Sequence, residues 1–346
     1  MTKFLVFFVL AIGATLGIGS AAWAENDAAA APWVKYRERF VAGDGRVLDN
    51  ANHEISHTEG QGWAMLLAES FGDRAAFDRI WGWTRDKLQH RDSALFSWKW
   101  DGNDRVADSN DASDGDILIA WALSRGARHW NEPRYGKSSR AILGDIRRKL
   151  IAPASGRLVL LPGATGFKRG QGAVVVNPSY YIYPAFGEFA RFAPSFEWQR
   201  LRRDGLGILA EARFGRWGLT PDWINIEGDG DIALDTRFPP RFGFDAVRIP
   251  LYLIWAGEAT PERLASYLDF WNVFGSKPVP AWADVKDNSV APYAGSTGVR
   301  AIVELARTYR DPNPPAAPSI GDSDDYYSAS LTLLAGLARR ETPRPR

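Results

Sequence analysis

The series of apolar segments with helical spacing is the feature that most constrains what this chain can fold into. Between residues 32 and 339, apolar side chains recur three or four positions apart in segment after segment, which is the period of an α-helix with a buried face. The loops between these segments are rich in Gly, Pro and Asp, and no interior Pro- and Ser-rich linker divides the chain. The pattern therefore predicts one all-α domain of about a dozen helices, with functional residues on the loops.

The same spacing gives the bounds of the expected elements. Strand signals are few and short, at 158–161 and 174–176. We predict helices over 32–41, 62–71, 75–88, 115–130, 140–151, 180–192, 196–211, 246–256, 261–273, 296–308 and 326–339.

Composition narrows the class of protein. Hydrophobic residues make up 45% and charged residues 24% of the 346, the balance of an ordinary globular protein. A formal net charge of +1 gives no electrostatic reason to bind nucleic acid or an anionic membrane. The chain has no cysteine, which excludes thiol nucleophiles and cysteine metal sites. Because the N–H of a buried Trp needs a partner, the 15 Trp predict that some rings line a groove where flat apolar faces, such as those of sugars, can stack.

The N-terminus has the pattern of an export signal. Lys3 precedes an apolar stretch at 4–18, and Ala22, Trp23 and Ala24 form a small-x-small cleavage site. The apolar run is short for an uncleaved membrane anchor, which is the alternative. We therefore expect a signal peptide at 1–24, a catalytic domain at 25–338 and a flexible basic tail at 339–346, in a periplasmic or secreted protein.

One motif points to a different chemistry. His53, Glu54 and His57 match the H-E-x-x-H signature of zinc metalloproteases, which needs both histidines on one face of a helix and the glutamate as general base. The position of a third ligand is Trp63, which cannot bind zinc, and the segment 52–60 is a poor helix former. A zinc metalloprotease is therefore a distant alternative.

Glu59 is the first carboxylate that suits catalysis. It precedes the run 60–63 (Gly-Gln-Gly-Trp), whose glycines allow close approach of a ligand and whose aromatic ring can exclude water from the carboxyl. Such surroundings favour a carboxyl that keeps its proton near neutral pH, as the acid of a glycosidase must. The plainer alternative is a solvated loop glutamate.

Aspartates at the starts of two apolar helices are candidates for the second carboxyl that glycoside hydrolysis needs. Asp245 opens one of these helices, and Arg248, three residues on, can hold it ionised. An ordinary i,i+3 ion pair is the alternative for these two residues. Asp114 and Asp116 open another helix, where capping of the helix N-terminus would account for one of them.

Taken together, these features resemble glycoside hydrolase family 8, in particular the endoglucanases associated with bacterial cellulose synthesis. The resemblance covers nearly all of the chain after residue 24. The run 112–116 (Ala-Ser-Asp-Gly-Asp) ahead of an apolar helix is a signature of the family, and it follows Glu59 in the expected order. The matching segments are 58–65 (TEGQGWAM), 108–116 (DSNDASDGD), 161–163 (LPG), 177–181 (NPSYY), 221–223 (PDW), 244–248 (FDAVR) and 325–327 (DYY).

The resemblance implies an (α/α)6 barrel, an inverting mechanism and no metal cofactor. It makes Glu59 the proton donor and Asp245 the base that activates water, and it implies that Asp114 binds and distorts the sugar next to the cleavage point. Tyr180 would hydrogen-bond near the attacking water, and Arg248 would orient Asp245. Further substrate contacts are expected from Asp116, Trp98, Trp100, Trp63 and Gln61.

These residues predict an endo-β-1,4-glucanase that hydrolyses cellulose without a cofactor, linked to bacterial cellulose biosynthesis. Its expected partners are the β-1,4-glucan and a cellulose synthase complex. The alternatives are a chitosanase or xylanase of the same family and a glucan-binding accessory of cellulose export. Thr58 stands where the family more often has Ser, and Trp63 where Tyr is common. These two departures leave the choice of polysaccharide open, but they remove no carboxylate that the activity needs.

Overall fold

The computed structural model describes residues 30–101 and 103–342, so the predicted signal peptide at 1–24 lies outside the described residues. Eleven α-helices are present in the described part of the chain. They are α1 (30–40), α2 (Thr58–Ser70), α3 (Arg74–Leu88), α4 (Ser113–His129), α5 (Pro133–Asp145), α6 (Tyr183–Phe192), α7 (Phe196–Glu211), α8 (Arg248–Trp255), α9 (Pro261–Asn272), α10 (Thr297–Thr308) and α11 (Tyr326–Glu341).

Six of the described helices form a closed inner ring. Helices α2, α4, α6, α8, α10 and α11 each contact the next, and α11 returns to α2. Helices α1, α3, α5, α7 and α9 lie outside this ring. The inner helices are buried on most sides, and all eight residues of α8 are buried. This arrangement is an (α/α)6 barrel, so the predicted fold class is confirmed.

Two helices begin four or more residues earlier than the apolar period predicts. Helix α2 begins at Thr58 instead of residue 62, because the His57 side chain caps it and Gly62 is needed inside it. A Cβ on Gly62 would lie 2.5 Å from Leu118 Cβ, so the glycine permits close packing of α2 on α4. Helix α5 begins at Pro133 instead of residue 140, where the Glu132 side chain accepts the hydrogen bond of a free helical N–H.

The structure has more strand than the sequence indicates. Ten short strands form small antiparallel sheets in the described residues. The strands at 56–57, 106–111 and 241–242 precede the inner helices α2, α4 and α8 and so orient the chain where those helices begin. The strands are β1 (Ser56–His57), β2 (Ser97–Trp100), β3 (Val106–Asp111), β4 (Ile151–Ala154), β5 (Arg157–Leu160), β6 (Val174–Val176), β7 (Ile224–Ile226), β8 (Ile232–Leu234), β9 (Arg241–Phe242) and β10 (Ala283–Asp284).

Helix α11 continues through Glu341, three residues past the predicted domain boundary at 338. Glu341 accepts hydrogen bonds from Arg125 at 2.6 and 2.7 Å and from Trp255 Nε1 at 2.9 Å, which ties the end of α11 to α4 and α8. Residues 343–346 of the predicted flexible tail lie outside the described residues. Across 30–342, apart from residue 102, no helix combines the length and apolarity needed to cross a bilayer.

Candidate active site

Three of the predicted carboxylates meet at one end of the inner ring. Glu59 and Asp114 are the second residues of α2 and α4, and Asp245 lies in the turn that enters α8. Asp245 is close enough to Asp114 for the two charges to interact, and Arg248 contacts both Glu59 and Asp245. The N-terminal ends of these three helices therefore form one site.

The buried guanidinium of Arg248 organises this site. Its Nη2 donates a hydrogen bond to Asp245 Oδ1 at 2.7 Å, and its Nη1 pairs with Glu59 Oε2. Nη2 also donates to Ser179 Oγ at 3.1 Å, and the guanidinium lies over the ring of Trp63 at 5.5 Å. The Arg248 side chain is only 2% exposed, whereas those of Glu59 and Asp245 are 16% and 29% exposed. A ligand can thus reach both carboxylates but not the arginine that fixes them.

Asn177 holds the second oxygen of Asp245. Its Nδ2 donates a hydrogen bond to Asp245 Oδ2 at 2.9 Å, and its own Oδ1 accepts from Ser179 N at 3.1 Å and from Ser179 Oγ at 2.7 Å. These contacts are local because a short 3-10 turn, Pro178–Tyr180, follows Asn177 directly. Both carboxylate oxygens of Asp245 are therefore fixed from the protein side.

Burial raises the pKa values of both Asp245 and Asp114 above those of free carboxyls. Burial raises the pKa of Asp245 well above its usual range, the charges of Asp222 and Asp114 raise it further, and Asn177 opposes the increase. The hydrogen bond from Arg248 also favours ionised Asp245, but the guanidinium is shared with Glu59. Burial raises the pKa of Asp114 to about 6, against the hydrogen bond from Gly115 N–H. These groups therefore titrate as a coupled set.

Tyr180 stands beside two of these carboxylates. It is half-buried, and the charges of Asp114 and Asp245 add to the effect of burial in raising the pKa of its phenol well above the usual value. The phenol is therefore a neutral hydrogen-bond donor at any working pH. Its ring meets Trp223 edge to face, with the centroids 6.0 Å apart.

Aromatic rings extend away from this centre. Trp223 is half-buried and stacks with Phe167, at 6.0 Å, and with Phe238, at 4.2 Å. On the α8 side, the half-exposed Phe244 precedes Asp245 and packs edge to face on Tyr327 at 5.9 Å. These rings are not among the residues predicted to bind substrate, although each lies in or near a segment that matches the family.

Trp98 and Trp100 differ although they lie on the same strand, β2. Trp98 is half-buried and hydrogen-bonds to Asp108, so part of its ring is available to a ligand. Trp100 is 6% exposed and packs edge to face on Trp83 at 5.5 Å. We therefore keep Trp98 among the candidate substrate contacts and leave Trp100 out.

Three further residues that were expected to bind substrate are fully buried. Gln61 accepts a hydrogen bond from Val47 N at 2.6 Å and donates to Thr84 Oγ1 at 2.8 Å. Trp63 lies beneath Arg248, and Asp116 Oδ1 accepts from Phe96 N at 3.1 Å. Gln61, Trp63 and Asp116 each have 0% exposure, so none presents a surface to a sugar, and we assign them structural roles.

The geometry excludes the zinc protease alternative. His53 and Glu54 lie in an exposed turn, and both have φ of 54°, so neither is helical. His57 is the N-cap of α2, where its Nδ1 accepts a hydrogen bond from Gly60 N at 3.1 Å. The two histidines therefore cannot share one helical face, which the H-E-x-x-H site requires.

Comparisons with known proteins identify the family of this chain. The family model described as glycosyl hydrolases family 8 matches residues 11–341. A probable endoglucanase of Novacetimonas hansenii is 38% identical over 91% of this chain and 92% of its own length. The crystal structure of endoglucanase Cel10 from Klebsiella pneumoniae is 40% identical, covers 90% of this chain and 99% of its own, and has a TM-score of 0.86. For endo-β-1,4-glucanase CMCax from Acetobacter xylinum these values are 38%, 91%, 99% and 0.85. The chain belongs to glycosyl hydrolase family 8.

Proposed function

We propose that this chain is an endo-β-1,4-glucanase that hydrolyses cellulose with inversion at the anomeric carbon. Relatives named endoglucanases match nine-tenths of the chain at 38–40% identity, which supports the class of substrate. The observation that carries the proposal is that Glu59 and Asp245, both accessible, lie on opposite arms of the buried Arg248. One guanidinium fixes both carboxyls, and inversion requires in addition that they stand about 6.5–9.5 Å apart, with room for a water at Asp245.

In this proposal Glu59 donates its proton to the glycosidic oxygen as the C–O bond breaks. A water attacks the anomeric carbon from the opposite face and passes its proton to Asp245. Asp114, beside the cleavage point, binds and distorts the sugar ring, and the neutral Tyr180 phenol donates a hydrogen bond near the water. Solvent then returns a proton to Glu59 and removes one from Asp245.

Arg248 suits this transfer of protons because it contacts both the proposed acid, Glu59, and the proposed base, Asp245. During the reaction Glu59 gains a negative charge while Asp245 loses one, so the total charge around the guanidinium does not change. A cation fixed between the two carboxyls can stabilise each charge distribution without moving. Its burial keeps the interaction strong, because water screens it little.

Activity assays on variants test the assignment. We expect the purified protein to cleave carboxymethyl cellulose faster than xylan or chitosan, with activity that a chelator does not change. Glu59→Gln and Asp245→Asn should each lose about a thousandfold or more in kcat, since each removes a proton-transfer group. Glu54→Gln, in the exposed turn, is the matched control and should retain full activity. Full activity in Glu59→Gln, or binding of glucan without turnover by the unmodified protein, would contradict the proposal.

We further propose that the protein acts outside the cytoplasm beside a cellulose synthase. The export signal at 1–24 supports this location, and the similarity to the endoglucanases of cellulose-synthesis type supports the setting. Fractionation of cells that express the full chain should recover the mature protein, starting at residue 25, in the periplasm or medium. Retention of residues 1–24 on a cytoplasmic protein would refute the location.

A further inference from the structure

Asp222 is tied to the turn that carries Asp245. Its Oδ1 accepts hydrogen bonds from Gly243 N at 3.1 Å and from Ala246 N at 2.7 Å, on either side of Asp245. The Asp245 N–H also hydrogen-bonds to this carboxyl. The backbone N–H of Asp222 donates to Arg241 O at 2.7 Å, so main chain and side chain both hold the segment. One carboxylate thereby fixes the backbone at the proposed base and on both sides of it.

The contact between Asp222 and the turn is close enough to require glycine. A Cβ on Gly243 would lie 2.7 Å from Asp222 Oδ2, nearer than carbon and oxygen approach without a bond. The turn and the carboxylate therefore fit one another directly. Asp222 is only partly exposed and is followed by Trp223, the aromatic ring beside Tyr180.

The charge of Asp222 acts on Asp245 as well. It raises the pKa of Asp245, as does the charge of Asp114. Burial raises the pKa of Asp222 itself to about 6, while Arg241 and the three backbone N–H groups oppose the increase. The other groups that face Asp245 are Arg248, Tyr180, Tyr252 and Tyr327, and Glu59 lies across Arg248.

We propose that Asp222 is a positioning residue for the base: its carboxylate fixes the turn that carries Asp245 and sets a second negative charge beside it. The inference rests on the proposed role of Asp245 as the base that activates water. A carboxylate in a neutral, solvated site is a weak base, and a neighbouring negative charge makes it a better proton acceptor near neutral pH. Asp222 does not touch the water or the sugar in this account.

Two substitutions separate the mechanical effect of Asp222 from its charge. Asp222→Asn keeps an oxygen that can accept the N–H bonds but removes the charge, whereas Asp222→Ala removes both. The probe is kcat/KM between pH 4 and 9 on cellohexaose, a neutral substrate whose own charge does not change. The matched control is Asp229→Asn, because Asp229 Oδ1 also accepts a backbone N–H, from Asp231 at 3.1 Å, in an exposed turn.

We expect the acidic limb of the Asp222→Asn profile to move to lower pH by about one unit, because Asp245 loses a neighbouring negative charge. Its plateau should fall less than about tenfold, whereas Asp222→Ala should lose at least a further tenfold in kcat with little change in KM. Asp229→Asn should leave the profile unchanged.

An unmoved acidic limb in folded Asp222→Asn overturns the inference, and circular dichroism establishes that the variant is folded. If Asp222→Ala does not fold, the Asn profile alone decides. The proposed function fails separately, by activity in Asp245→Asn. Inactive Asp245→Asn together with an unshifted Asp222→Asn profile therefore overturns only the role of Asp222.

Discussion

Glu59 and Asp245 are 186 positions apart in the sequence, yet each contacts a different nitrogen of the same buried guanidinium, that of Arg248. The inner helices α2 and α8 bring them together by starting at the same end of the ring. The Arg248 side chain has little freedom to move, because Ser179 and Trp63 also contact it. The distance between the proposed acid and base is thus set by the rigid barrel.

Replacing Arg248 should therefore damage the reaction beyond the loss of one charge. Arg248→Lys retains the charge but lacks the planar fork that presents a separate N–H group to each carboxylate, so we expect kcat to fall about 10- to 100-fold. Arg248→Met leaves the carboxylates without a cation and should cost about 1,000-fold. The control is Arg147→Met, which removes an exposed pair with Glu197. Steady-state kinetics on cellohexaose check that Arg248→Met loses more kcat than Arg248→Lys. An Arg248→Met variant with unchanged kcat would rule out the shared cation.

Asp114 should destabilise the protein at neutral pH. Its pKa is raised from 3.8 to about 6 in the folded state, so the folded protein binds this proton more tightly than the unfolded chain does. This tighter proton binding stabilises the folded protein below the pKa that Asp114 has in the unfolded chain. The stabilisation is lost as the pH rises through about 6, the pKa in the folded state. Asp114→Asn should thus raise the free energy of unfolding at pH 7, by at most about 3 kcal/mol, with a smaller gain at pH 4.

Urea unfolding of Asp114→Asn and the unmodified protein at both pH values measures this difference. The same variant should lose activity, because it lacks the charge that is proposed to bind the sugar at the cleavage point. A gain that is equal at pH 4 and pH 7 would show that the pKa shift is not its source.

Trp223 should contribute to substrate binding more than to chemistry. Its ring lies in the stack with Phe167 and Phe238 and meets Tyr180 edge to face. Stacking of an aromatic ring is worth about 0.5–1.5 kcal/mol beyond the buried area, so Trp223→Ala should raise KM for cellohexaose about tenfold. We expect kcat to change less. Trp217→Ala, another half-buried tryptophan, is the control, and an equal effect of both variants would remove Trp223 from the groove.

The packing of α2 on α4 gives a prediction about stability. Gly62→Ala would place a Cβ 2.5 Å from Leu118 Cβ, and we expect a loss of about 1–3 kcal/mol in the free energy of unfolding. The control is Gly82→Ala, also within a helix, where nothing lies within 4 Å of the added Cβ. That variant should gain about 0.5–1 kcal/mol from the better helix propensity of alanine. Thermal unfolding compares the two, and equal shifts would refute the close packing.

The local sequence pattern predicted much of the fold, because helix bounds and i,i+3 contacts depend on residues that are close together in the chain. Helix α7 has the bounds that the apolar spacing gives, and the approach of Arg248 to Asp245 follows from their i,i+3 positions. The early start of α2 at Thr58 was missed because glycines at 60 and 62 argue against a helix unless the packing partner is known.

Long-range contacts account for the part of the site that the sequence could not predict. The contact of Glu59 with Arg248, and that of Asn177 with Asp245, depend on how the barrel closes. The residues Asn177 and Asp222 lie in segments that resemble the family, but no spacing rule gives them a role. Burial also cannot be read from a motif, which is why Gln61 looked like a substrate contact and is a core residue.

The stereochemistry of hydrolysis distinguishes a base at Asp245 from a nucleophile there. With Asp245 as the base, a water attacks the anomeric carbon directly, and no glycosyl-enzyme bond should form. Proton NMR of cellohexaose hydrolysis, recorded within the first minutes, distinguishes the anomers of the new reducing ends before they interconvert. We expect the α-anomer to appear first from the β-linked substrate. Initial appearance of the β-anomer would contradict it.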